Sequence, residues 1–520
     1  MAAVRTADVV IVGNGVLGLS VAVEIARRAP ETQIVVVGPP QRPMSATAAA
    51  GAMLNCFAEV TRYTARHPAA VARFTLARQA LDMWPQWLKE LEQDAGPEAG
   101  AAVRASHRPG TFVVISGRSG TIAAENFQAI RDAAVQHGEA HDLVDPHDVQ
   151  GYAPALDARP WQVLHLPREG SVDARAHLTA LEAAADALGI RTVPDTVRSV
   201  LTDGDAVDGV LLQDGSTLAT RTVVLSAGAA SGRLAADILP PGAVPPMLHG
   251  TGASLVVRRT RTTGPGAQHV LRTPNRAATC GLHLVPQATP GEQYVGATNL
   301  ITCDPISGAE YGSTHALMRE VAEQFDPELR FSHIQRWMVG ARPITLDCFP
   351  LIGTCSLRGL ILATGTYRDG FHCSPAIARH LAATVLDTPD DTGTDLTWFA
   401  PERPPIQTVP AEDAAAEAAE HMYDVMYEQG LSVAYFGGAP LREWAQRRTQ
   451  ELHDRLGEPV ALAPEIIIPQ FLTPKASDCP DDGVTALKTY LHAARAHHGP
   501  WRSQDSQDAV PHEQDGASAQ

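Results

Sequence analysis

The stretch that decides the fold is Asp8-Val-Val-Ile-Val-Gly-Asn-Gly-Val-Leu-Gly-Leu-Ser-Val-Ala-Val-Glu-Ile-Ala-Arg-Arg28. Residues 8–12 form a short β-branched run, which is typical of a buried parallel strand. Gly13, Gly15 and Gly18 follow in the spacing G-x-G-x-x-G, and helix-forming residues begin at once. The three glycines permit a tight turn, close approach to a pyrophosphate, and close packing of the helix on the strand. The stretch therefore predicts a dinucleotide-binding unit with phosphates at the helix N-terminus.

The acidic residue that usually accompanies this motif is missing. In dinucleotide folds, a carboxylate about 20 positions beyond the glycines holds the adenosine ribose. The second predicted strand, 33–37, ends instead in Gly38-Pro-Pro40. The motif predicts a nucleotide, but alone it does not decide between NAD and FAD.

Length and composition bound the class of protein. A chain of 520 residues is long enough for two or three domains. The net charge of −17 argues against a nucleic-acid partner. Seven cysteines without C-x-x-C spacing indicate neither a disulfide framework nor a zinc site, and no metal is expected. The first strand begins too early to leave room for a signal peptide, and no long apolar run exists, so we expect a cytoplasmic protein without a membrane partner.

Two later segments carry further signals. Residues 44–55, Met-Ser-Ala-Thr-Ala-Ala-Ala-Gly-Ala-Met-Leu-Asn, are small enough to let a backbone lie flat against a planar group, although a closely packed helix would also explain them. Residues 359–375, Gly-Leu-Ile-Leu-Ala-Thr-Gly-Thr-Tyr-Arg-Asp-Gly-Phe-His-Cys-Ser-Pro, predict a buried strand at 360–363 and a loop. Ser374 and Pro375 predict the cap and first position of a helix over 376–386. The positive end of that helix would suit an anion in the loop.

The remaining elements are predicted from periodicity and turn residues. Apolar spacing predicts a helix over 69–91 with a kink at Pro85. Alternation of apolar and polar residues over 245–330 predicts an antiparallel sheet, and hence a separate substrate-facing domain. Further elements are a helix near 123–137, a helix from about 170 to 189, and strands at 110–115, 197–201, 207–212 and from 222.

With these motifs together, the chain resembles the FAD-dependent amino-acid oxidase superfamily, most closely its glycine oxidase and sarcosine oxidase branch. The matching pieces, in order, are 13–18, 47–54, 224–228, and 340–343 with 364–370. The resemblance covers about residues 5–390. It implies an α/β fold in which a Rossmann-type FAD-binding domain (1–90, 150–240 and 331–390) is interleaved with a mixed or antiparallel substrate domain (91–149 and 241–330).

The resemblance also implies the residues that contact FAD: Gly13, Gly15, Val16, Leu17, Gly18, Ser45, Thr47, Gly51, Ala52, Met53, Val197, Gly228, Thr366, Tyr367, Asp369, Gly370, Phe371 and His372. Arg342 and Arg368 match positions that face the substrate, where a guanidinium can bind a carboxylate through two parallel hydrogen bonds. For each arginine the alternative is an ion pair or a brace for the loop. His283 stands where glycine oxidases have a substrate-facing tyrosine, and it is either catalytic or structural.

The implied reaction is oxidation of the C–N bond of a small amino acid or N-substituted amine to an imine, which water hydrolyses. Dioxygen would reoxidise the flavin and give peroxide. The flavin is expected to be non-covalent, because Ala48 and Ala341 stand where some relatives carry the bonding residue. Two alternatives are an amine dehydrogenase that passes electrons to a partner protein and a non-catalytic FAD-binding protein. Free NAD is disfavoured, because the small-residue segment and the late loop have no role with it.

Residues 391–502 lie outside the resemblance and are predicted to form a helical extension. Helices are expected at 411–429 and 441–456, each stopped by glycine. An apolar stripe on the second helix would pack on the catalytic body or on a protein partner, and it comprises Leu441, Trp444, Ala445, Leu452 and Leu456. Residues 503–520 are polar and lack aromatic side chains, and are expected to be disordered.

Overall fold

The structure is a computed structural model that describes residues 5–260, 266–277, 280–390, 392–429, 438–472 and 482–499. The tail predicted over 503–520 lies outside the described residues. The α-helices are Val16–Arg28, Pro68–Ser106, Thr121–Gln136, Ala174–Ala187, Ala230–Ala236, Tyr311–Gln324, Ser374–Leu386, Ala411–Glu428, Gly438–Leu456, Pro464–Leu472 and Asp482–His498. The strands are Arg5–Thr6, Val9–Val12, Ile34–Val37, Met53–Leu54, Arg108–Ser116, Asp142–Val144, Pro160–Ser171, Arg191–Val193, Val197–Asp203, Ala206–Leu212, Thr217–Ala219, Thr222–Leu225, Met247–Arg258, Val270–Arg272, His283–Pro286, Glu292–Gly296, Leu300–Thr302, His333–Thr345, Leu351–Thr354 and Leu360–Thr364.

A six-stranded sheet contains Val9–Val12, the strand that leads into the glycine turn. Its strands follow the order 351–354, 360–364, 222–225, 9–12, 34–37 and 191–193. All neighbours are parallel except the first pair. Val9–Val12 is buried along its whole length, as its β-branched sequence predicts. A separate, small four-stranded sheet has the strand order 5–6, 217–219, 206–212 and 197–203.

A ten-stranded sheet forms the other half and confirms the antiparallel pattern predicted over 245–330. Met247–Arg258 pairs antiparallel with His333–Thr345, and Glu292–Gly296 pairs with His283–Pro286. Pro160–Ser171 also belongs to this sheet. Two observed strands, Pro160–Ser171 and His333–Thr345, therefore lie in the large sheet although their segments were assigned to the FAD-binding domain. The division into domains stays a prediction.

Two local predictions differ from the structure. The helix predicted over 69–91 continues to Ser106, and its non-helical residue is Gly96 (φ +76°), not Pro85. Glycine adopts this left-handed conformation without a Cβ penalty, and Pro97 follows it. The late helix begins at Ser374, so Cys373 holds the cap position, and the Ser374 hydroxyl donates to the Phe371 carbonyl at 2.8 Å.

The C-terminal helices pack on the preceding part of the chain, which is called the body from here on. Leu452, Leu456 and Ile466 share an apolar cluster with Ile344 and Leu346 of the body. Ala445, Leu452 and Leu456 of the predicted stripe are buried, but Trp444 is 43% exposed, and Thr449, which was not in the stripe, is buried. The mixed α/β fold with C-terminal helices is thus confirmed. No helix in the described ranges is both long and apolar enough to cross a bilayer.

Candidate active site

A cavity of about 920 Å³ extends from the glycine turn to the loop 366–372. It is lined by every residue predicted to contact FAD or substrate except Gly18 and Val197. Gly18 packs beneath the turn, since a Cβ there would lie 2.0 Å from the Gly13 carbonyl oxygen. The Val197 side chain is buried in the core beside the six-stranded sheet, and its neighbour Thr196 lines the cavity.

The glycine turn leaves room for a ligand at the start of helix Val16–Arg28. Gly13 has φ +118°, and a Cβ would meet the Ser226 carbonyl oxygen at 2.4 Å. A Cβ at Gly15 would lie 3.1 Å from Thr47 Oγ1. The Val16 N–H donates to that hydroxyl oxygen at 3.2 Å. Thr47 therefore joins the small-residue segment to the positive end of the helix, where phosphate binding is favoured.

Asn14 occupies the space left by the missing ribose carboxylate. A Cβ at Gly38 would lie 2.4 Å from Asn14 Cγ, so the glycine is required for this amide to fit. Asn14 Nδ2 donates to the Pro39 carbonyl at 3.1 Å, and Arg42 Nε donates to the Asn14 carbonyl at 2.9 Å. Asn14 and Arg42 both line the cavity and were not among the predicted site residues. The sequence offers one indication of Asn14, which is its place between Gly13 and Gly15 inside the glycine motif.

The small-residue segment forms turns and a short strand, Met53–Leu54, so the helix alternative is wrong. Gly340 allows its close packing, because a Cβ there would lie 2.7 Å from the Ser45 carbonyl oxygen. The Ala49 carbonyl accepts hydrogen bonds from Tyr294 Oη at 2.9 Å and Ser254 Oγ at 3.2 Å. These contacts hold a backbone free of large side chains along one wall of the cavity.

His283 is buried in the cavity wall, where its ring stacks on Tyr294 with centroids 5.6 Å apart. Its Nδ1 donates to the Gly281 carbonyl at 2.9 Å, which leaves Nε2 as an acceptor. Burial lowers the pKa of His283 to about 4, even though the Gly281 hydrogen bond opposes this. The imidazole is therefore neutral near pH 7. Tyr294 was missed by the sequence reasoning, which singled out only the histidine.

The two predicted substrate arginines have different partners. Arg342 Nη1 donates to the Thr298 carbonyl at 3.1 Å and to Asn299 Oδ1 at 3.3 Å. No carboxylate pairs with Arg342 in the part of the chain that the structure describes. Arg368 Nη2 instead lies 3.1 Å from Glu465 Oε1 and 3.1 Å from Tyr367 Oη. Glu465 belongs to the C-terminal extension and was also missed.

A buried polar network supports the wall between these arginines and the strand Arg108–Ser116. Arg272 is 1% exposed and pairs with Glu59, whose other oxygen accepts from Asn275 Nδ2 at 3.0 Å. Burial alone would raise the pKa of Glu59, but the guanidinium groups of Arg272 and Arg368 lower it to about 2. Glu169, fully buried, accepts N–H bonds from residues 56–58. The network thus holds Glu59 ionised and paired with Arg272 at the cavity edge.

The loop 366–372 is held from both sides. The Tyr367 N–H donates to the Pro343 carbonyl at 2.9 Å. His372 Nε2 donates to the Ala77 carbonyl at 2.7 Å, and Phe371 stacks on Trp84 with centroids 6.2 Å apart. Burial lowers the pKa of His372 to about 4. The loop is thereby fixed against helix Pro68–Ser106.

A family model described as FAD dependent oxidoreductase (DAO) matches residues 8–384. The chain belongs to this family. FAD is the cofactor of the DAO family, and the cavity fits it: glycines keep side chains out of the turn, small residues line one wall, and Arg342 and Arg368 line the other end. The predicted superfamily and cofactor are confirmed.

Several DAO-family relatives are similar over the same region. The bifunctional protein ThiO/ThiG of Trichormus variabilis is 25% identical over 398 residues, covering 74% of this chain and 54% of the relative. This chain thus spans about half the length of that relative. Glycine oxidase of Geobacillus kaustophilus is 26% identical, covering 75% of this chain and 96% of the relative. The crystal structure of that glycine oxidase superposes with a TM-score of 0.63 at 22% identity, covering 77% and 99% of the two chains.

Proposed function

We propose that this DAO-family chain oxidises the C–N bond of an amino acid or N-substituted amine to an imine, with dioxygen as the final electron acceptor and hydrogen peroxide as the product. The observation that carries the proposal is Arg342, which lines the cavity and whose described partners, Thr298 and Asn299, are neutral. Its positive charge is therefore available to a carboxylate entering the cavity.

Arg342 would bind the substrate carboxylate and so orient the carbon that carries the amine. A guanidinium can make two parallel charge-assisted hydrogen bonds to a carboxylate, which fixes direction as well as position. The neutral His283 presents Nε2 as an acceptor near Gly51, where a Cβ would lie 3.4 Å from that nitrogen. It can accept a hydrogen bond from the substrate amine, while Tyr294 holds its ring. FAD, when bound, would accept the hydride from the carbon that carries the amine.

We also infer that FAD is bound without a covalent bond. Ala48 and Ala341, at the places where some relatives attach the flavin, carry no nucleophile. Acid precipitation of the purified protein should leave the yellow colour in the supernatant. A yellow pellet would contradict this inference.

The test of the proposed function is a screen of amino acids and N-substituted amines against the FAD-loaded protein. Bleaching of the flavin spectrum without oxygen, followed by peroxide when oxygen is admitted, supports an oxidase. Bleaching without peroxide would replace the oxidase with a dehydrogenase that needs another acceptor. No bleaching with any amine would overturn the proposed reaction.

A further inference from the structure

The active-site cavity has a neighbouring chamber of about 210 Å³. The two share the lining residues Asn55, Glu59, Tyr367, Arg368 and Asp369, so the Arg368 side chain lies on the boundary between them. The far wall of the chamber comes from the C-terminal extension, including residues of helix Ala411–Glu428 and residues 461–465. The DAO family match ends at 384, so this wall lies outside the region shared with the family.

Each carboxylate that lines the chamber is paired with an arginine. Glu465 of the extension lies 3.1 Å from the Arg368 guanidinium, and this is the pair nearest the large cavity. The other carboxylates of the lining have arginine partners in the same way: Asp369 with Arg73 (3.8 Å), Glu417 with Arg66 (3.5 Å), Glu59 with Arg272, and Asp347 with Arg403. The lining also includes neutral hydrogen-bonding side chains, among them Thr61, Thr64 and Asn126. The lining therefore combines paired charges and neutral polar groups with apolar side chains such as Val60, Phe74 and Leu346.

We propose that this chamber binds the distal part of the substrate, an uncharged polar group such as an amide or hydroxyl, and that Glu465 determines this specificity. The inference rests on the proposed function and extends it to a substrate class larger than glycine. Without Glu465, Arg368 would present a positive charge to the chamber and favour a distal carboxylate. With Glu465 in place, a distal carboxylate must approach a carboxylate that already holds the guanidinium, and like charges repel.

The experiment uses pairs of amines that differ only in a distal amide or carboxylate, such as glutamine with glutamate and asparagine with aspartate, in both enantiomers. The natural holoenzyme should reduce its flavin faster with the amide member of each pair. Glu465→Gln should raise kcat/KM for the acid at least tenfold relative to the amide. Glu451→Gln is the matched control, because Glu451 is exposed on the same extension and pairs with Arg448. It should keep the natural preference.

A second variant tests the chamber itself without changing charge. Ala463→Phe should narrow the chamber, because Ala463 lines it and is partly buried. KM should rise at least tenfold for the amide substrates and stay unchanged for the smallest amine that the enzyme oxidises. Flavin content, measured by absorbance, shows whether each variant is folded. If Glu465→Gln loses flavin, the Ala463→Phe variant alone tests the chamber.

The outcomes separate this inference from the function on which it rests. If no amine bleaches the flavin of the natural protein, both are overturned. If amines bleach it but the acid-to-amide ratio is the same in Glu465→Gln and Glu451→Gln, or Ala463→Phe leaves every KM unchanged, the chamber inference is wrong and amine oxidation stands.

Discussion

The two ends of the active-site cavity are built in different ways. The nucleotide end is formed largely by residues 13–53, in which Thr47 accepts a hydrogen bond from the Val16 N–H after the glycine turn and Asn14 donates to the Pro39 carbonyl. At the other end, Arg368 meets Glu465, almost a hundred residues further along the chain. The first arrangement depends on a short local motif. The second depends on how an added extension packs, so that end is where this chain can differ most from its family.

The largest expected effect is at the nucleotide end. Gly15→Val should abolish FAD binding, because a Cβ there would lie 3.1 Å from Thr47 Oγ1 and the two methyl groups of valine would fill the space for phosphate. The purified variant should be colourless. Gly312→Val is the control, since a Cβ there would meet nothing within 4 Å beyond its chain neighbours and its own helix backbone, and it should retain flavin. A Gly15→Val protein with full flavin content would show that the nucleotide lies elsewhere.

The next effect concerns the extension. Cutting the chain at about residue 400 removes Leu452, Leu456 and Ile466 from a cluster with Ile344 and Leu346. Each buried aliphatic side chain stabilises by roughly 1.5–3 kcal/mol, so the melting temperature should fall strongly. Cutting from Ser503, the polar tail of the sequence, is the matched control and should leave it unchanged. Equal melting temperatures for both truncations would mean that the extension does not stabilise the body.

The contrast also explains which parts could be predicted from the sequence. The roles of Gly13, Gly15 and the strand before them follow from neighbouring residues in the sequence. The structure confirms the predicted strand, turn and helix. Asn14 could not be assigned, because its role depends on the space above Gly38. Glu465 could not be predicted, since no local pattern shows which helix will reach Arg368. The kink was predicted at Pro85 because proline breaks helices, but the residue that leaves the helical conformation is Gly96, which adopts a positive φ.

A smaller expected effect is a pH dependence of the free energy of unfolding, which arises from the buried side chain of His177. His177 is fully buried between Trp84 and Phe371, and neither ring nitrogen has a hydrogen-bond partner among the described residues. Burial lowers the pKa of His177 from 6.5 to about 3. The unfolded state therefore binds more protons between these values, so stability is present above pH 6.5 and is lost as the pH falls.

From pH 7 to pH 5 this histidine should lower the free energy of unfolding by about 2 kcal/mol. His177→Leu should remove that share of the loss, as measured by denaturant unfolding of the holoprotein at the two pH values. His147→Leu, at a side chain that is 87% exposed, should behave as the natural protein does. An unchanged pH dependence in His177→Leu would mean that the histidine is hydrated or paired.

The most direct test of the account compares Arg342→Leu with Arg368→Leu on an amino-acid substrate and its methyl ester. If Arg342 binds the carboxylate, its loss should cost on the order of 2–4 kcal/mol, so kcat/KM for the acid should fall roughly 30- to 1000-fold while the ester is little affected. Arg368→Leu should have the smaller effect on the acid, because Glu465 already compensates that guanidinium. Flavin content should stay unchanged in both. If Arg342→Leu treats acid and ester as the natural enzyme does, the substrate carboxylate is not bound by Arg342 and the central claim is wrong.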